Sequence, residues 1–280
     1  MSTKDMPLVT VGMTTYNRPE SLKGALDGVI NQTYKNLEII ISEDCSPCEK
    51  TKSLLREYAQ RDNRIKYISQ KANLGPSTNI YFVLTQATGE YCMWADDDDL
   101  RDDRWIEVLL RKFSNDAAIA VIGNVFSMDV DGKPIKQYTS LEYSGPRILR
   151  LVSYYLAEES EGKANIVCGL FRTDFIQKIK YWGQYNKKYF GVDYLFVLNC
   201  IQHGNVLVEP TVSIYKRLPV GKSKPIKCPG DLIERVYRRL QFFIVCIFVA
   251  RNWPDRAVLL LLLPAKILKS FVYKIYLYTR

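Results

Sequence analysis

Histidine is almost missing: the 280 residues hold one, His203. A zinc centre built on several imidazoles is therefore excluded. His203 itself lies in Gln202-His203-Gly204, a helix-end context that favours histidine for structural reasons, so it is not read as a base. Cysteine is present but not ordered into a framework. The seven are an odd number, and Cys92, Cys168, Cys200 and Cys246 sit in apolar runs, which speaks against a secreted disulfide scaffold and for a reducing, cytosolic setting. Cys45-Ser-Pro-Cys48 is a lone Cys-x-x-Cys, without the second pair a zinc ribbon needs. The opening Met1-Ser-Thr-Lys-Asp-Met-Pro lacks the apolar stretch of a signal peptide. No uncharged apolar run reaches the roughly 20 residues that span a bilayer. With 47% hydrophobic and 25% charged residues, neither disorder nor a collagen-like repeat fits.

Charge is present in excess, but in one place. The net +9 comes entirely from residues 214–280, where fourteen Lys and Arg face Asp231, Glu234 and Asp255, a net of +11; the first 213 residues carry −2. A basic tail on a near-neutral body favours an anionic membrane surface over a nucleic-acid groove.

The first 126 residues alternate short apolar runs with amphipathic stretches. Strands are expected at 8–14, 37–42, 65–69, 91–94 and 119–126. Helices are expected at 18–31, 50–60, 76–88 and 105–113, with Pro19 suited to a first helical turn. This rhythm implies an α/β fold with a mostly parallel, Rossmann-like sheet flanked by helices, and ligands at the carboxyl ends of its strands. Asp131-Gly132 suits a hairpin turn, residues 145–180 read as mixed, and 216–230 as a basic connector rich in proline.

Three strand ends carry chemistry: Thr14-Thr15-Tyr16-Asn17-Arg18, Ser42-Glu43-Asp44-Cys45-Ser46 and Ala95-Asp96-Asp97-Asp98-Asp99-Leu100. Four consecutive carboxylates repel one another unless a cation compensates them. Hard oxygen donors suit Mg²⁺ or Mn²⁺, which shares its coordination between one or two carboxylates and phosphate oxygens. The plain alternative is a solvated acidic loop or helix cap.

Those segments, with Gln32-Thr-Tyr-Lys-Asn-Leu-Glu, Asn73-Leu-Gly and Thr88-Gly-Glu-Tyr, resemble glycosyltransferase family 2, inverting enzymes of GT-A fold and here of the bacterial surface-polysaccharide type. The likeness runs from about residue 7 to 105 and weakens towards 215. It implies that Thr14 and Tyr16 lie against a nucleotide base and that Asp44 accepts from a pyrimidine ring N–H. It further implies that Asn73 belongs to the donor contacts, that Asp96 and Asp97 bind the donor, and that Asp98 ligates Mn²⁺ or Mg²⁺. Arg217 resembles the family's basic position near the diphosphate. The family's base precedes an apolar helix, which in Phe190-Gly191-Val192-Asp193-Tyr194 selects Asp193; a helix cap is the plain alternative. Cys45 stands where the family commonly has glycine, which makes that turn less permissive. The expected activity is transfer of one sugar from a pyrimidine-diphosphate donor, UDP-hexose or UDP-N-acetylhexosamine, to a lipid-linked or surface-polysaccharide hydroxyl. A metal-dependent phosphohydrolase or nucleotidyltransferase, which has no need of Tyr16 and Asp44, and a silent binding module are the competing readings.

The expected division is a glycosyltransferase unit over 1–225, with a nucleotide-sugar half at 7–126 and an acceptor half at 127–225, and a helical tail over 226–280. Lys266, Lys269 and Lys274 fall on one side of the tail's second helix, with Ile267, Leu268, Phe271, Val272 and Ile275 forming much of the rest. Arg235, Arg238 and Arg239 flank the first. The expectation is a pair of helices lying in the cytoplasmic membrane interface with basic residues towards headgroups. A hairpin packed on the body, or between two copies of the chain, is the alternative.

Overall fold

The computed structural model describes residues 6–113, 117–129, 131–138, 141–158, 161–179, 191–217 and 232–278. β-Branched runs form β1 (Val9–Thr15) and β2 (Leu37–Glu43), whose residues are buried on both faces, as expected of strands covered by helices on each side. Around them come α1 (Pro19–Ile30), α2 (Glu49–Arg61), β3 (Ile65–Ser69), α3 (Pro76–Thr85) and β4 (Tyr91–Asp96). α3 lies so close to β1 that a Cβ on Gly12 would meet Val83 Cγ2 at 2.9 Å. The chain continues through β5 (Leu100–Arg101), α4 (Trp105–Lys112), β6 (Ala118–Met128), β7 (Pro134–Tyr138) and α5 (Arg147–Leu156). A 3-10 turn (Lys163–Cys168), β8 (Leu170–Arg172), α6 (Thr173–Lys178), α7 (Val192–His203) and β9 (Asn205–Arg217) complete the body.

The strand order is β3-β2-β1-β4-β8-β6-β9-β5, with β7 on β6. β1, β2, β3 and β4 run parallel, and β6 and β9 share their direction; only the short β5, β7 and β8 are antiparallel. The mostly parallel expectation holds, and β8 is the antiparallel splice between the two halves. The β6–β7 turn falls at Asp131-Gly132, with Gly132 at φ +82° and Asp129 Oδ1 accepting from the Asp131 and Lys133 amides. Lys216 and Arg217 differ from expectation: they end β9 instead of opening the connector, because the pairing of β9 with β6 runs to Arg217↔Met128. The rest of that connector, 218–230, lies outside the described residues, as does the 225/226 division.

α8 (Leu232–Val249) and α9 (Trp253–Tyr278) form a hairpin packed on α5 and α7. Phe242, Phe243, Cys246, Ile247, Ala250 and Leu259 join the main core. The polarity of α9 is the reverse of the expected one. Lys266 is fully buried, its Nζ donating to Ala157 O at 2.8 Å and to Glu158 Oε1 at 3.3 Å. Lys269 Nζ donates to Leu156 O. Both ammonium groups cap the last carbonyls of α5, where a helix dipole favours cations. Arg239 donates to Ser270 within the hairpin. The side chains of Arg235, Arg238 and Lys274 lie outside the described residues. Leu261, Trp253, Phe248 and Leu268 point outward, 64–81% exposed. No described helix is long and apolar enough to cross a membrane.

Candidate donor and metal site

Parallel pairing brings the three chemical strand ends to one level, since Thr14 stands opposite Ser42 on one side and Asp96 on the other. The exits are shaped by two residues with left-handed backbone, Asn17 (φ 55°) and Cys45 (φ 57°). Cys45 thus adopts the conformation that glycine takes most readily. The two turns are tied together: Asn17 N donates to Ser46 Oγ at 2.9 Å and Asp44 N to Thr15 O at 3.0 Å.

Asp44 is buried, and its two carboxylate oxygens accept the Leu74 and Gly75 amides at 2.7 and 3.0 Å. Asn73 Nδ2 donates to Asp44 O, while its Oδ1 takes the Gly75 amide. Asp44 and Asn73 therefore form one unit, the carboxylate fixing the loop that opens α3. Tyr16 stands 46% exposed above this edge, a ring free to stack, and Thr14 is half-buried beside it.

The acidic run faces three ways. Asp97 accepts Thr15 Oγ1 at 2.6 Å, and Arg18 reaches both Asp97 Oδ1 at 3.4 Å and Asp98 Oδ2 at 2.5 Å. Asp99 turns inward, with Oδ2 buried and without a hydrogen-bond partner. Ligand atoms of Asp96, Asp99 and Cys168 lie within 4.8 Å of one another. Lys216 enters the same space, its Nζ 3.6 Å from Cys168 Sγ.

Burial pushes Asp97 up to about 6 and Asp99 up to about 7, and raises Asp98 as well, with the neighbouring carboxylates adding to each. Burial likewise takes the Cys168 thiol up to about 11. Lys216 is held charged well above the usual lysine range by the Cys168 sulfur and by Asp99, Asp96 and Asp193, against its own desolvation. Asp193 opens α7 and reaches solvent, yet the protein packed around it raises its pKa; Lys216 pulls it down and Asp96 pushes it further up. One ammonium thus answers to the acidic run and to Asp193, which brings the two halves of the site together.

Two cations, Arg18 and Lys216, act on four carboxylates, and burial first and the neighbouring carboxylates second raise three of them. The unpartnered Asp99 oxygen and the all-oxygen donor set of the run fit a hard divalent cation. Asp98, the expected ligand, is half-buried and paired with Arg18. The sequence reading did not single out Thr15, Arg18, Asp99, Cys168 or Lys216. Arg18 was legible as the residue closing the first motif. Lys216 was not separable from Arg217, since only strand register decides which of two neighbours faces the site. Arg217 is half-buried, its Nε lacking a partner. His203 Nδ1 pairs with Asn199 O at 2.8 Å, the helix-end role expected of it.

The model of glycosyl transferase family 2 matches residues 10–173, more than half of the chain and the whole of the strand-end crevice except β9 and Asp193. The chain belongs to glycosyl transferase family 2. An uncharacterized glycosyltransferase of Methanocaldococcus jannaschii is 29% identical over 199 residues, 70% of this chain and 66% of that protein. The GalNAc(5)-diNAcBac-PP-undecaprenol beta-1,3-glucosyltransferase of Campylobacter jejuni is 27% identical over 212 residues, 75% of this chain and 65% of that one. The chain thus spans just under two thirds of these relatives' length. Among solved structures, Staphylococcus aureus TarS 1-349 with UDP-GlcNAc superposes at TM-score 0.65 and 18% identity, covering 95% of this chain and 73% of that 1-349 chain. The mannosyltransferase PcManGT of Pyrobaculum calidifontis with GDP-Man and Mn²⁺ gives 0.61 and 17%, with the same coverage. These likenesses show the GT-A fold.

Proposed function

We propose that the protein is an inverting, metal-dependent glycosyltransferase moving a single hexose or N-acetylhexosamine from a UDP-sugar to a hydroxyl of a lipid-linked or surface-polysaccharide acceptor. The observation that carries this reading is the common level of Thr14, Ser42 and Asp96 at the strand ends, with Asp44 two residues beyond Ser42 and the charge of Lys216 acting on both the acidic run and Asp193. Tyr16 and Thr14 receive the base, and Asp44 with Asn73 forms the pyrimidine side of the pocket. Asp96 and Asp97 hold the ribose and diphosphate side, and Arg217, with Arg18 and Lys216, supplies positive charge there. Asp98 and Asp96 would hold Mn²⁺ or Mg²⁺, and Asp99 stands behind them. When bound, the cation supplies neutralisation of the leaving diphosphate.

Asp193 takes the proton of the acceptor hydroxyl as its oxygen bonds to the anomeric carbon. The bond from that carbon to the diphosphate oxygen breaks on the opposite face, so the configuration inverts and UDP departs. A raised carboxylate pKa suits this task, because a base nearer neutrality is stronger. A lipid-linked acceptor is supported by the name of the Campylobacter relative. A nucleotide-binding test decides the donor: thermal shift with UDP, dTDP, GDP and CDP, each with Mn²⁺ or EDTA. A UDP shift that needs Mn²⁺ and vanishes in Asp98→Asn is expected; at a hundredfold excess over Kd it is worth about 2.7 kcal/mol. No shift with any nucleotide in folded protein would overturn the reading in favour of a silent binding module.

The reading includes two units, 1–225 and 226–280, the second laid on the cytoplasmic face of a membrane. The exposed Phe248, Trp253, Leu261 and Leu268, together with the basic excess of the tail, support this placement. Because Lys266 is buried and Lys269, though exposed, is held to Leu156 O, attachment rests on apolar insertion more than on lysine–headgroup contact. Leu261→Asp with Leu268→Asp tests it on phosphatidylcholine–phosphatidylglycerol vesicles. Loss of vesicle binding supports the reading. Full release of the unsubstituted protein at moderate salt, or a dimer that buries the same residues, overturns it.

A further inference from the structure

The helix that carries Asp193 in its first turn is gripped by the C-terminal hairpin at both ends. At its start, Gly191 has φ +86°, and a Cβ there would meet Tyr194 Cδ2 at 3.0 Å and Phe242 Cε2 at 3.3 Å. The Tyr194 ring stands edge-on to Phe242 of α8, with centroids 5.6 Å apart. At its far end, Gln202 Oε1 accepts the Arg251 amide, in the bend between α8 and α9, at 2.6 Å.

A second line of contacts arrives through α5. Tyr154 Oη donates to the Tyr194 carbonyl at 2.6 Å. The Lys163 ammonium lies over the Tyr154 and Tyr194 rings at 4.6 and 5.9 Å. Lys163 and Lys266 both donate to Ala157 O, at 3.0 and 2.8 Å, and Lys266 also pairs with Glu158. All three charged residues are buried. Buried charges held in one network fix a single arrangement, because each alternative leaves a charge unpaired. The residue on one side of Asp193 is thus held by its backbone carbonyl and its ring, and the glycine two residues before it has a left-handed backbone with Tyr194 and Phe242 packed closely against it.

We propose that Phe242 is a positioning residue for Asp193, and that the α8–α9 hairpin fixes the first turn of α7 for proton transfer through Phe242 and Lys266, with the Arg251 amide anchoring the far end of the helix. This rests on the reading of Asp193 as the base. It gives the hairpin a part in the chemistry that is independent of any membrane.

The experiment uses the full chain in vesicle-free buffer, with three readouts: amide hydrogen exchange at 191–196, the Mn²⁺–UDP thermal shift, and hydrolysis of UDP-glucose and UDP-N-acetylglucosamine with water as acceptor. For Phe242→Ala, exchange at 191–196 should quicken at least tenfold and the hydrolytic kcat fall about tenfold. The donor KM and the UDP shift should stay within twofold, and Phe242→Leu should restore most of both losses. Lys266→Met should reproduce the effect more weakly. If the alanine variant does not fold, Phe242→Leu and Lys266→Met carry the test with the same pattern at smaller size. Unchanged exchange at 191–196 in folded variants overturns the proposal, whatever the activity. Equal quickening of exchange in β1 to β4, with KM and kcat moving together, also overturns it, because that is general loosening. Should Asp193→Asn keep its hydrolysis, the base assignment falls, and the exchange data still decide whether the hairpin holds the turn.

Discussion

Thr15 Oγ1 donates to Asp97 Oδ2 at 2.6 Å, binding the exit of the first strand to an acidic residue 82 positions later. Both side chains are buried, so each satisfies the other where water cannot. Thr15→Val keeps the shape and removes the donor. We expect a loss of about 1–3 kcal/mol in unfolding free energy, measured by urea denaturation, and an Asp97 carboxyl raised still further, because the hydroxyl was one of the groups pulling it down.

Lys216 is the residue on which the acidic run and Asp193 both lean. Lys216→Met takes a positive charge away from the acidic run, and stability should fall. The loss should be larger at pH 8 than at pH 5.5, since protonation of Asp99 relieves it. Melting temperatures at the two pH values check this; an equal loss at both would assign Lys216 a packing role only.

The same two carboxyls set a pH dependence of the metal-free protein. Their folded values, about 6 and about 7, lie above the ordinary aspartate value of 3.8. Between pH 4 and 7 the folded state therefore binds more protons than the unfolded chain, and the stability these groups contribute at low pH is lost as the pH rises through 6 and 7. A divalent cation competes with those protons. Thermal melts in EDTA should show the decline, and the shift produced by Mn²⁺ should be greater at pH 8 than at pH 5.5.

Asp193→Asn removes the proposed base while keeping the size of the side chain. Transfer should fall by about 10²–10⁴-fold, the usual contribution of a positioned base, while the Mn²⁺-dependent UDP shift remains. Loss of the UDP shift together with activity would place Asp193 in the donor site instead.

The parallel half was legible because its strands are short apolar or β-branched runs between turn formers, such as Val9-Thr-Val, Ile39-Ile-Ile and Tyr91-Cys-Met-Trp, a pattern that burial on both faces favours. Even there the ends moved: β4 extends into Asp96, since pairing with Thr14 continues past the last apolar residue. The direction of the tail was not legible. Helical spacing separates Lys266 and Lys269 from Ile267 and Leu268, but it does not say which side faces the protein. That is decided by the open carbonyls of Leu156 and Ala157 and by Glu158, which the sequence places more than a hundred residues away. Lys216 was hidden for a related reason, since one residue of strand register exchanges it with Arg217.

The acidic run has a fixed length. Asp96 is the last residue of β4 to pair with β1, and Leu100 at once pairs with Tyr215 of β9, so three residues, Asp97, Asp98 and Asp99, bridge two seams. Neither seam can fray to absorb a change, because Arg101 is already matched to Ile214 and the Asp102 amide to Ser213 O. The run behaves as a ruler strung between two posts. Substituting one of its carboxylates changes the charge, whereas adding or deleting a residue shifts β5 against β9 and carries the carboxylates out of step with Lys216.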